Sequence, residues 1–440
     1  MKEIINWKKA ISSPPDPEQD AVSHYSYGYD YDYQISDWKK KGYRTSMIEN
    51  VYGDTPVTRN EQYYYDSLYQ LTKSNYADIP VEHSWAYDSI GNRLSQTTAP
   101  DSSISYSYYK INSSNNSQLL RHDGSACYIW DKNGNLLCMK AETNPDYCPD
   151  EDKPHDVNGC PSQLLHSGDA LYTWDKEDRL IHLQWYENGL THNTYYYYDF
   201  NGNRFKKVVD GLTTTYIYHN EDIIKEIGPL TYRYVHGPGI DEPAFLCAND
   251  ACSNPFYYFA DGLGSIRQIV DNSNNSNIEN QYRYGSWGEL DDPFIRSENI
   301  NNPFAFTAKE FAENENYFYR WRYYKSYLAK FISKDILLNN PSNAFSYTKN
   351  CPLIFIDPYG TQEIKNGCLY EAWRPADPKN IDKTKCKERN RKVFPKWKLV
   401  FIRREFIPKE RCQCFFRQIG CFGIIKLWCD ITCLRNSYPL

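Results

Sequence analysis

The sequence predicts an all-β fold built from repeated hairpins, and three observations support this prediction. Tyrosine is unusually common, with 41 Tyr among 440 residues, and aromatic residues favour strands. A short aromatic motif recurs along the chain and is followed by turns that contain Gly, Asn or Asp. Aliphatic residues are too scarce for a helical bundle or a doubly wound sheet. The length allows one large β-rich body or several smaller units.

The repeats occupy residues 21–254 and share the pattern Tyr or Trp, any residue, aromatic, Asp, then a turn. The best copies are YYYDSLYQLTK, WAYDSIGNRLS, YIWDKNGNLLC, YTWDKEDRLIH and YYYDFNGNRFK. Their aspartates are Asp66, Asp88, Asp131, Asp175 and Asp199. A period of about 22 residues, or twice that, indicates one β-hairpin per unit, and each unit needs its neighbours to bury its apolar face.

Each repeat aspartate is expected to shape its turn rather than to catalyse a reaction. An Asp side chain can accept a hydrogen bond from the backbone two residues on, and Gly supplies the positive φ of a tight turn. The D-x-N-G-N stretches at 131–135 and 199–203 also suggest a calcium loop, but their Gly is fourth rather than sixth. We therefore expect no metal and no cofactor.

An acidic, Pro-rich loop at 141–166 is inserted between two repeats. Cys148 and Cys160 bracket part of it and can tie it at its base. The first 20 residues form a polar lead in which neither a Sec signal peptide nor a membrane anchor is apparent.

These repeats resemble the RHS, or YD-repeat, family, which includes C components of insecticidal toxin complexes and bacterial polymorphic toxins. The resemblance implies that the hairpins coil into a β-sheet spiral that closes as a hollow shell. The repeat count is low for a shell closed by this chain alone, which favours a TcB-like partner β-shell or a shortened member. We expect a bacterial protein that is cytoplasmic before export and then secreted, or held at the cell surface, by a non-Sec route.

Residues 255–360 resemble the RHS repeat-associated core of that family. The matching segments are YYFADGLGSIRQIVD, YRYGSWGEL, FTAKEFAENENYFYRWRYYKSYLAKFISKDI and NAFSYTKNCPLIFIDPYG. In toxin members this core resembles an aspartyl protease that cuts its own chain shortly after Asp-Pro-x-Gly. The resemblance implies that Asp335 and Asp357 are the acid–base pair and that Arg322 assists them. The cut is expected at Gly360–Thr361 or one bond later.

These residue types suit the implied chemistry. Two carboxyl groups held close together cannot both ionise, and therefore one keeps a proton while the other activates water. An adjacent Arg can orient a carboxylate or stabilise the oxyanion. The substrate peptide belongs to the same chain, so effective molarity replaces a binding pocket. Asp-Pro-x-Gly is also a common β-turn and Ser-x-Asp a common cap, which leaves a purely structural role open.

The tail, residues 361–440, differs from the rest of the chain. From residue 362 onward 18 Lys and Arg stand against 8 Asp and Glu, although the whole chain has a net charge of −6. All nine His lie in residues 1–236 and Ser437 is the only serine of the tail, which excludes a His-dependent nuclease and a triad hydrolase there. We expect a small α or α+β, Cys-rich, basic domain that is carried as toxin or effector cargo.

The tail leaves several partner hypotheses open. The run at 383–392 and Trp397 can bind the phosphates and bases of nucleic acid, or the run can be a solvated charged face. Its cysteines lack paired CxxC spacing, which disfavours zinc and favours disulfides, unless a cytosolic chain keeps the thiols reduced. Arg417, Lys426 and Asp430 interrupt its apolar run, so no integral membrane segment is expected.

The sequence favours a toxin-delivery shell that encapsulates its C-terminal segment and releases it by self-cleavage just after DPYG. One alternative is a non-cleaving cell-surface or adhesion protein whose tyrosine-rich strands bind carbohydrate or a neighbouring cell. The other is a degenerate member without activity.

Overall fold

The computed structural model divides the chain into two compact units, Met1–Ile364 and Lys365–Leu440. It describes residues 3–7, 21–29, 43–52, 56–79, 81–100, 102–111, 116–249, 252–272, 277–290, 293–337, 343–361, 364–365, 414–418 and 425–429. The basic run at 383–392, Trp397 and Ser437 lie outside the described residues.

The first sheet is an antiparallel meander of eight strands that follow one another in chain order. Strands β1 to β8 are Glu3–Trp7, Ala21–Tyr29, Arg44–Val51, Val57–Tyr65, Leu71–Tyr76, Val81–Tyr87, Arg93–Ala99 and Ser102–Ser105. The edge strand β1 lies within the predicted polar lead.

The second sheet continues the same meander through sixteen strands. Strands β9 to β24 are Ser107–Lys110, Asn116–His122, Ala126–Trp130, Leu136–Ala141, Ala170–Trp174, Leu180–Glu187, Leu190–Tyr198, Arg204–Val209, Leu212–His219, Asp222–Ile227, Thr231–His236, Pro243–Cys247, Phe256–Ala260, Ile266–Val270, Ile278–Arg283 and Ile295–Glu298.

The segment 304–361, which we call the plug, carries a small four-stranded sheet. Strands β25 to β28 are Glu310–Phe311, Asn316–Tyr319, Arg322–Lys325 and Lys330–Phe331, and β29 is Phe355–Ile356. The remaining strands β30 to β32 are Ile364–Lys365, Cys414–Gln418 and Ile425–Cys429, and the last two pair antiparallel. Single-turn 3-10 helices span Pro145–Tyr147, Val157–Gly159, Phe306–Ala308 and Thr348–Asn350. The predicted all-β fold class is confirmed.

The repeat aspartates cap their turns as the sequence predicts. Oδ1 of Asp88 accepts the N–H groups of Ile90 at 3.0 Å and Asn92 at 2.8 Å. The same pair of contacts, from the residues two and four positions on, occurs at Asp66, Asp131, Asp175, Asp199 and Asp261. The residue three positions after each Asp has a positive φ, and these residues are Tyr69, Gly91, Gly134, Asp178, Gly202 and Gly264. The recurring motif therefore encodes one recurring turn.

The aromatic residue before the turn joins one repeat to the previous one. The Tyr87 hydroxyl donates to the carbonyl of Leu71 at 2.7 Å, and Tyr198 donates to Leu180 at 2.8 Å. Equivalent bonds to the preceding strand are made by Tyr65, Trp174, Tyr218 and Tyr284. A buried Tyr or Trp needs a partner for its polar atom, and here the preceding strand provides one.

The plug packs against both large sheets. One buried cluster joins aromatic residues of the first sheet, of the later strands of the second sheet and of the plug, and a second cluster joins the plug to the earlier strands of the second sheet. The two large sheets also meet directly, because Arg267 contacts Glu49 at 2.9 Å and Arg283 contacts Asp78 at 2.7 Å. Strands from both sheets therefore fix the position of the plug.

The inserted loop is attached differently from the expected tie between its own cysteines. Cys148 is bonded to Cys127 of β11, and Cys160 is bonded to Cys138 of β12. Residues alternate along a strand, so Cys127 lies on the face opposite its inward-facing neighbour Tyr128. The two disulfides hold the insert on the sheet face that the plug does not cover.

Candidate active site

Three separate stretches of the plug supply the predicted site residues. Arg322 opens β27, Asp335 follows β28, and Asp357 directly follows β29. All three are buried, with exposed fractions of 3%, 7% and 3%. Buried charges need partners, and these three residues provide partners for each other.

The guanidinium of Arg322 lies against both carboxylates. Its Nη2 is 3.1 Å from Oδ2 of Asp335 and 3.4 Å from Oδ2 of Asp357. Nη1 donates to the carbonyl of Ala344 at 2.9 Å, and the ring of Phe331 lies 3.6 Å from the guanidinium carbon. The structure thus brings the three predicted residues together around one nitrogen atom, in a fixed orientation.

Each residue from 320 to 322 holds one carbonyl of the DPYG segment, in the same order. Arg320 Nη1 donates to Pro358 O at 2.5 Å, and the backbone N–H of Trp321 donates to Tyr359 O at 3.2 Å. Arg322 Nε donates to Gly360 O. Residues 320–322, at the start of β27, therefore fix the alignment of the DPYG segment.

The carboxylate of Asp357 lies on the amide side of the same segment. Its Oδ1 accepts the N–H of Gly360 at 2.8 Å and the N–H of Thr361 at 3.0 Å. The Gly360–Thr361 bond consequently has a guanidinium on its carbonyl oxygen and a carboxylate on its nitrogen. These are the two atoms that change charge when an amide is hydrolysed.

Glycine is required at position 360. Its φ is +75°, and a Cβ there would lie 2.6 Å from the carbonyl oxygen of Tyr319. A larger residue would be strained in this conformation and would also collide with the backbone. The close approach keeps Gly360 O within reach of Arg322.

Asp335 is held on the other side of the guanidinium. Its Oδ1 accepts the N–H of Leu337 at 2.8 Å, and its own N–H donates to Ala344 O at 3.1 Å. Ala344 thus supports both Asp335 and Arg322.

A second charged group, which the sequence patterns did not indicate, lies beside the same segment. Lys309 Nζ donates to Pro358 O at 2.7 Å and also contacts Asp241, which lies between β19 and β20. Burial, and then the charge of Arg320, lower the pKa of Lys309 to about 8. Burial alone would raise the pKa of Asp241, but Arg320 and Lys309 outweigh it and lower that pKa below its usual range. Lys309 is the Lys of FTAKE, within a segment that matches the core motif, and this match was the signal in the sequence that could have indicated it.

Within the described part of the chain, no helix has the length and apolar character needed to span a bilayer. The same residues contain no group of three or more His, Cys, Asp or Glu that could hold a metal ion.

Comparisons with known proteins find relatives among nucleases and toxin components, while no family model matches. The tRNA3(Ser)-specific nuclease WapA of Bacillus spizizenii is 26% identical over 320 residues, which cover 67% of this chain and 12% of that protein. The tRNA nuclease WapA of Bacillus subtilis gives the same identity and coverage. The chain thus matches only 12% of the length of these relatives.

Two solved structures also match the chain over part of their length. TcdB2-TccC3-TEV gives a TM-score of 0.44 at 14% identity, over 80% of this chain and 19% of that chain. The Photorhabdus luminescens Tc holotoxin pore gives 0.40 at 14% identity, over 81% and 19%.

Proposed function

We propose that the chain is an RHS-repeat shell that cuts its own backbone at Gly360–Thr361 and thereby releases the tail as cargo. One observation carries the proposal: Arg322 contacts the carbonyl oxygen of this bond while Asp357 contacts its N–H. A β-turn with a purely structural role does not require a buried cation on this carbonyl and a second carboxylate, Asp335, on the same cation.

The proposed reaction is hydrolysis with Asp335 as base and Asp357 as acid. A water oxygen adds to the carbonyl carbon of Gly360, and the water proton passes to the Asp335 carboxylate. The carbonyl electron pair moves to the oxygen, where Arg322 stabilises the negative charge. For the last step Asp357 has to carry a proton and give up the hydrogen bond that it accepts from the Thr361 N–H; the C–N bond then breaks as this proton passes to the nitrogen of Thr361. The products are a carboxylate at Gly360 and a free amine at Thr361.

The proposed reaction differs in one respect from a reaction that two equivalent carboxyl groups catalyse. Arg322, rather than a protonated carboxyl group, polarises the carbonyl. Since the guanidinium stays charged at all working pH values, it can fill this role without a proton transfer of its own.

Intact mass measurement of the freshly purified chain tests the proposal. We expect a separate fragment that begins at Thr361, and we expect Asp335→Asn and Asp357→Asn each to leave one full-length chain. Asp88→Asn is the matched control, because Asp88 also accepts two backbone N–H groups but lies in a repeat turn. A full-length wild-type chain would contradict self-cleavage.

We further propose that the released tail contacts nucleic acid. Support comes from its excess of Lys and Arg and from the naming of the relatives as tRNA nucleases. Because the tail contains no His, we expect binding without His-dependent chemistry. A mobility-shift titration of the whole chain with tRNA should show binding that weakens steeply with salt, and binding that does not depend on salt would contradict the proposal.

The chain is proposed to function outside the reducing cytoplasm, as an exported protein. Three disulfides support this placement, namely Cys127–Cys148, Cys138–Cys160 and Cys247–Cys252. Mass measurement with and without reductant, after thiol alkylation of protein recovered from the culture medium, tests it. Fully alkylated cysteines before reduction would contradict it.

A further inference from the structure

A compact ionic group surrounds the carbonyl oxygen of Pro358, two residues before the proposed cut. Lys309 Nζ and Arg320 Nη1 both donate to this oxygen, at 2.7 Å and 2.5 Å. Asp241 bridges the two cations. It accepts Arg320 Nη2 on Oδ1 at 2.7 Å and Arg320 Nη1 on Oδ2 at 3.1 Å, and Oδ2 also accepts Lys309.

The group draws its members from two parts of the fold. Lys309 and Arg320 belong to the plug, whereas Asp241 lies in the connection between β19 and β20 of the second sheet. Asp241 is anchored there, because its N–H donates to Oδ1 of Asp222 at 3.2 Å. Arg320 also reaches that sheet, since its Nη2 donates to Glu221 O at 3.1 Å.

We propose that Asp241, Lys309 and Arg320 form a register clamp that fixes which peptide bond the chain cuts. The inference rests on the proposed self-cleavage and adds positioning residues to it. Asp241 acts through the two cations, and Lys309 and Arg320 act on the substrate backbone.

Electrostatics explains why all three residues are needed. Two cations on one carbonyl repel each other in a buried place, and the carboxylate of Asp241 offsets that repulsion. The fork of Arg320 meets this carboxylate with two nitrogens, which fixes its direction as well as its distance. Without Asp241 the two cations would separate, and Pro358 O would lose at least one of its donors.

The clamp determines the alignment of the next two carbonyls. The carbonyl of Pro358 and the N–H of Tyr359 belong to one planar peptide unit, so a displaced Pro358 carbonyl shifts Tyr359 as well. Tyr359 O then moves away from the N–H of Trp321, and Gly360 O moves away from Arg322. A shift of about 1 Å at a reacting group can slow a reaction about 100-fold.

The variants Asp241→Asn and Arg320→Lys test the clamp in the full-length chain. We expect both to slow cleavage by about 10-fold to 100-fold and to yield products cut at more than one bond. Lys309→Met should behave in the same way, while Lys309→Arg, which keeps the cation, should restore a single product. A general loss of stability would not change the position of the cut, and thermal unfolding confirms that each variant is folded.

Asp78→Asn is the matched control. It neutralises one of the two carboxylate partners of another buried arginine, Arg283, at a contact between the two large sheets that lies outside the plug. We expect its cleavage rate and product to equal those of the wild type. A broadened set of products in this control would contradict a local clamp.

Hydrogen exchange separates the clamp from the cleavage reaction. It is measured in chains that carry Asp335→Asn and stay uncut, with and without Asp241→Asn. We expect the amides of Gly360 and Thr361 to exchange about 10-fold faster when Asp241 is changed, because their bonds to Asp357 loosen. Faster exchange in a chain whose wild type never cuts would show that the three residues align the segment, and it would overturn the proposed function. Unchanged exchange together with an unchanged product would overturn the clamp.

Discussion

The turn at Asp88 in the repeats and the turn at Asp357 in the plug start from the same local design. Each begins with Asp, and each has Gly three residues on, with φ of 77° at Gly91 and 75° at Gly360. Each Asp also accepts the N–H of the residue four positions on, at 2.8 Å from Asn92 and 3.0 Å from Thr361. The DPYG segment thus shares these features with a repeat turn, although the second N–H that Asp357 accepts comes from Gly360, three positions on, and not from the residue two positions on.

The two turns differ in what contacts the glycine carbonyl. At Gly91 the donor is the neutral amide of Asn350, at 2.9 Å, and the turn closes a hairpin through the bond from Asp88 N–H to Asn92 O. At Gly360 the donor is the guanidinium of Arg322, which also contacts Asp335. The turn by itself lets an Asp carboxylate accept a backbone N–H. The buried cation and the second acid are added by the plug.

Removing the cation should produce the largest effect. We expect Arg322→Lys to slow cleavage about 100-fold to 1,000-fold, because a lysine cannot hold the carbonyl of Gly360 and both carboxylates at once. Asn350→Ala removes the corresponding donor at Gly91 and should leave cleavage unchanged. The rate is measured from the decay of full-length chain after synthesis in a cell-free system. Equal cleavage rates in Arg322→Lys and wild type would contradict the claim that the cation distinguishes the turn at Gly360 from the turn at Gly91.

A methyl group on the glycine should have the next largest effect. Gly360→Ala places a Cβ 2.6 Å from Tyr319 O, so we expect cleavage to slow about 100-fold. Gly264→Ala is a matched control, because Gly264 has a φ of +82° but nothing within 4 Å of the added atom. That variant should cost about 1–2 kcal/mol in the free energy of unfolding and leave cleavage intact. Cleavage of Gly360→Ala at the same rate as that of Gly264→Ala would contradict the importance of the close approach at Gly360.

A smaller difference between the plug and the repeats is expected in the pH dependence of cleavage. Lys309 faces Asp241, Arg320, Asp357 and the ring of Tyr319, and its pKa is about 8. As pH rises through about 8 it loses its charge, and we expect cleavage to slow by about 10-fold or less. Lys309→Arg should remove this alkaline decline. An alkaline decline that is the same in Lys309→Arg would assign it to another group.

The lowered pKa of Lys309 also affects stability, and in the opposite direction: cleavage slows as pH rises, whereas the free energy of unfolding increases. Between about 8 and the usual value of 10.5, the unfolded chain keeps the Lys309 proton that the folded chain has lost. The unfolded state then binds more protons, so this group makes the free energy of unfolding rise with pH in that window. Denaturant titrations of wild type and Lys309→Arg measure the difference, and a wild-type stability that falls relative to Lys309→Arg would contradict the sign.

The smallest effect on cleavage is expected from a repeat aspartate. Asp88→Ala leaves the amides of Ile90 and Asn92 without their acceptor, and we expect a loss of about 1–3 kcal/mol in the free energy of unfolding with normal cleavage. Denaturant unfolding and the intact mass are measured on the same sample. Loss of cleavage in this variant, at full folding, would contradict the structural role of the repeat turns.

Local features of the fold were predictable from the sequence, because they depend on residues close together in the chain. The spacing of Asp, Gly and aromatic residues predicts the hairpins and the contacts of Asp88 and its counterparts. Motif order also indicated Arg322, Asp335 and Asp357, which the structure brings together around one nitrogen atom.

Features that depend on long-range contacts were not predictable. Asp241 reaches Lys309 and Arg320 from sequence separations of 68 and 79 residues, and nothing in its own neighbourhood marks it. The disulfides show the same limit. Cys148 and Cys160 bracket the insert, but their partners Cys127 and Cys138 lie on strands whose facing direction is set by the packed sheet.

Sequencing of every new amino terminus in the purified wild-type protein tests the central claim most directly, since it compares all the turns in one sample. We predict one new terminus, at Thr361, and none at the equivalent repeat positions Asn92, Asn135 and Asn203. An uncut chain, or new termini at the repeat turns as well, would contradict the account.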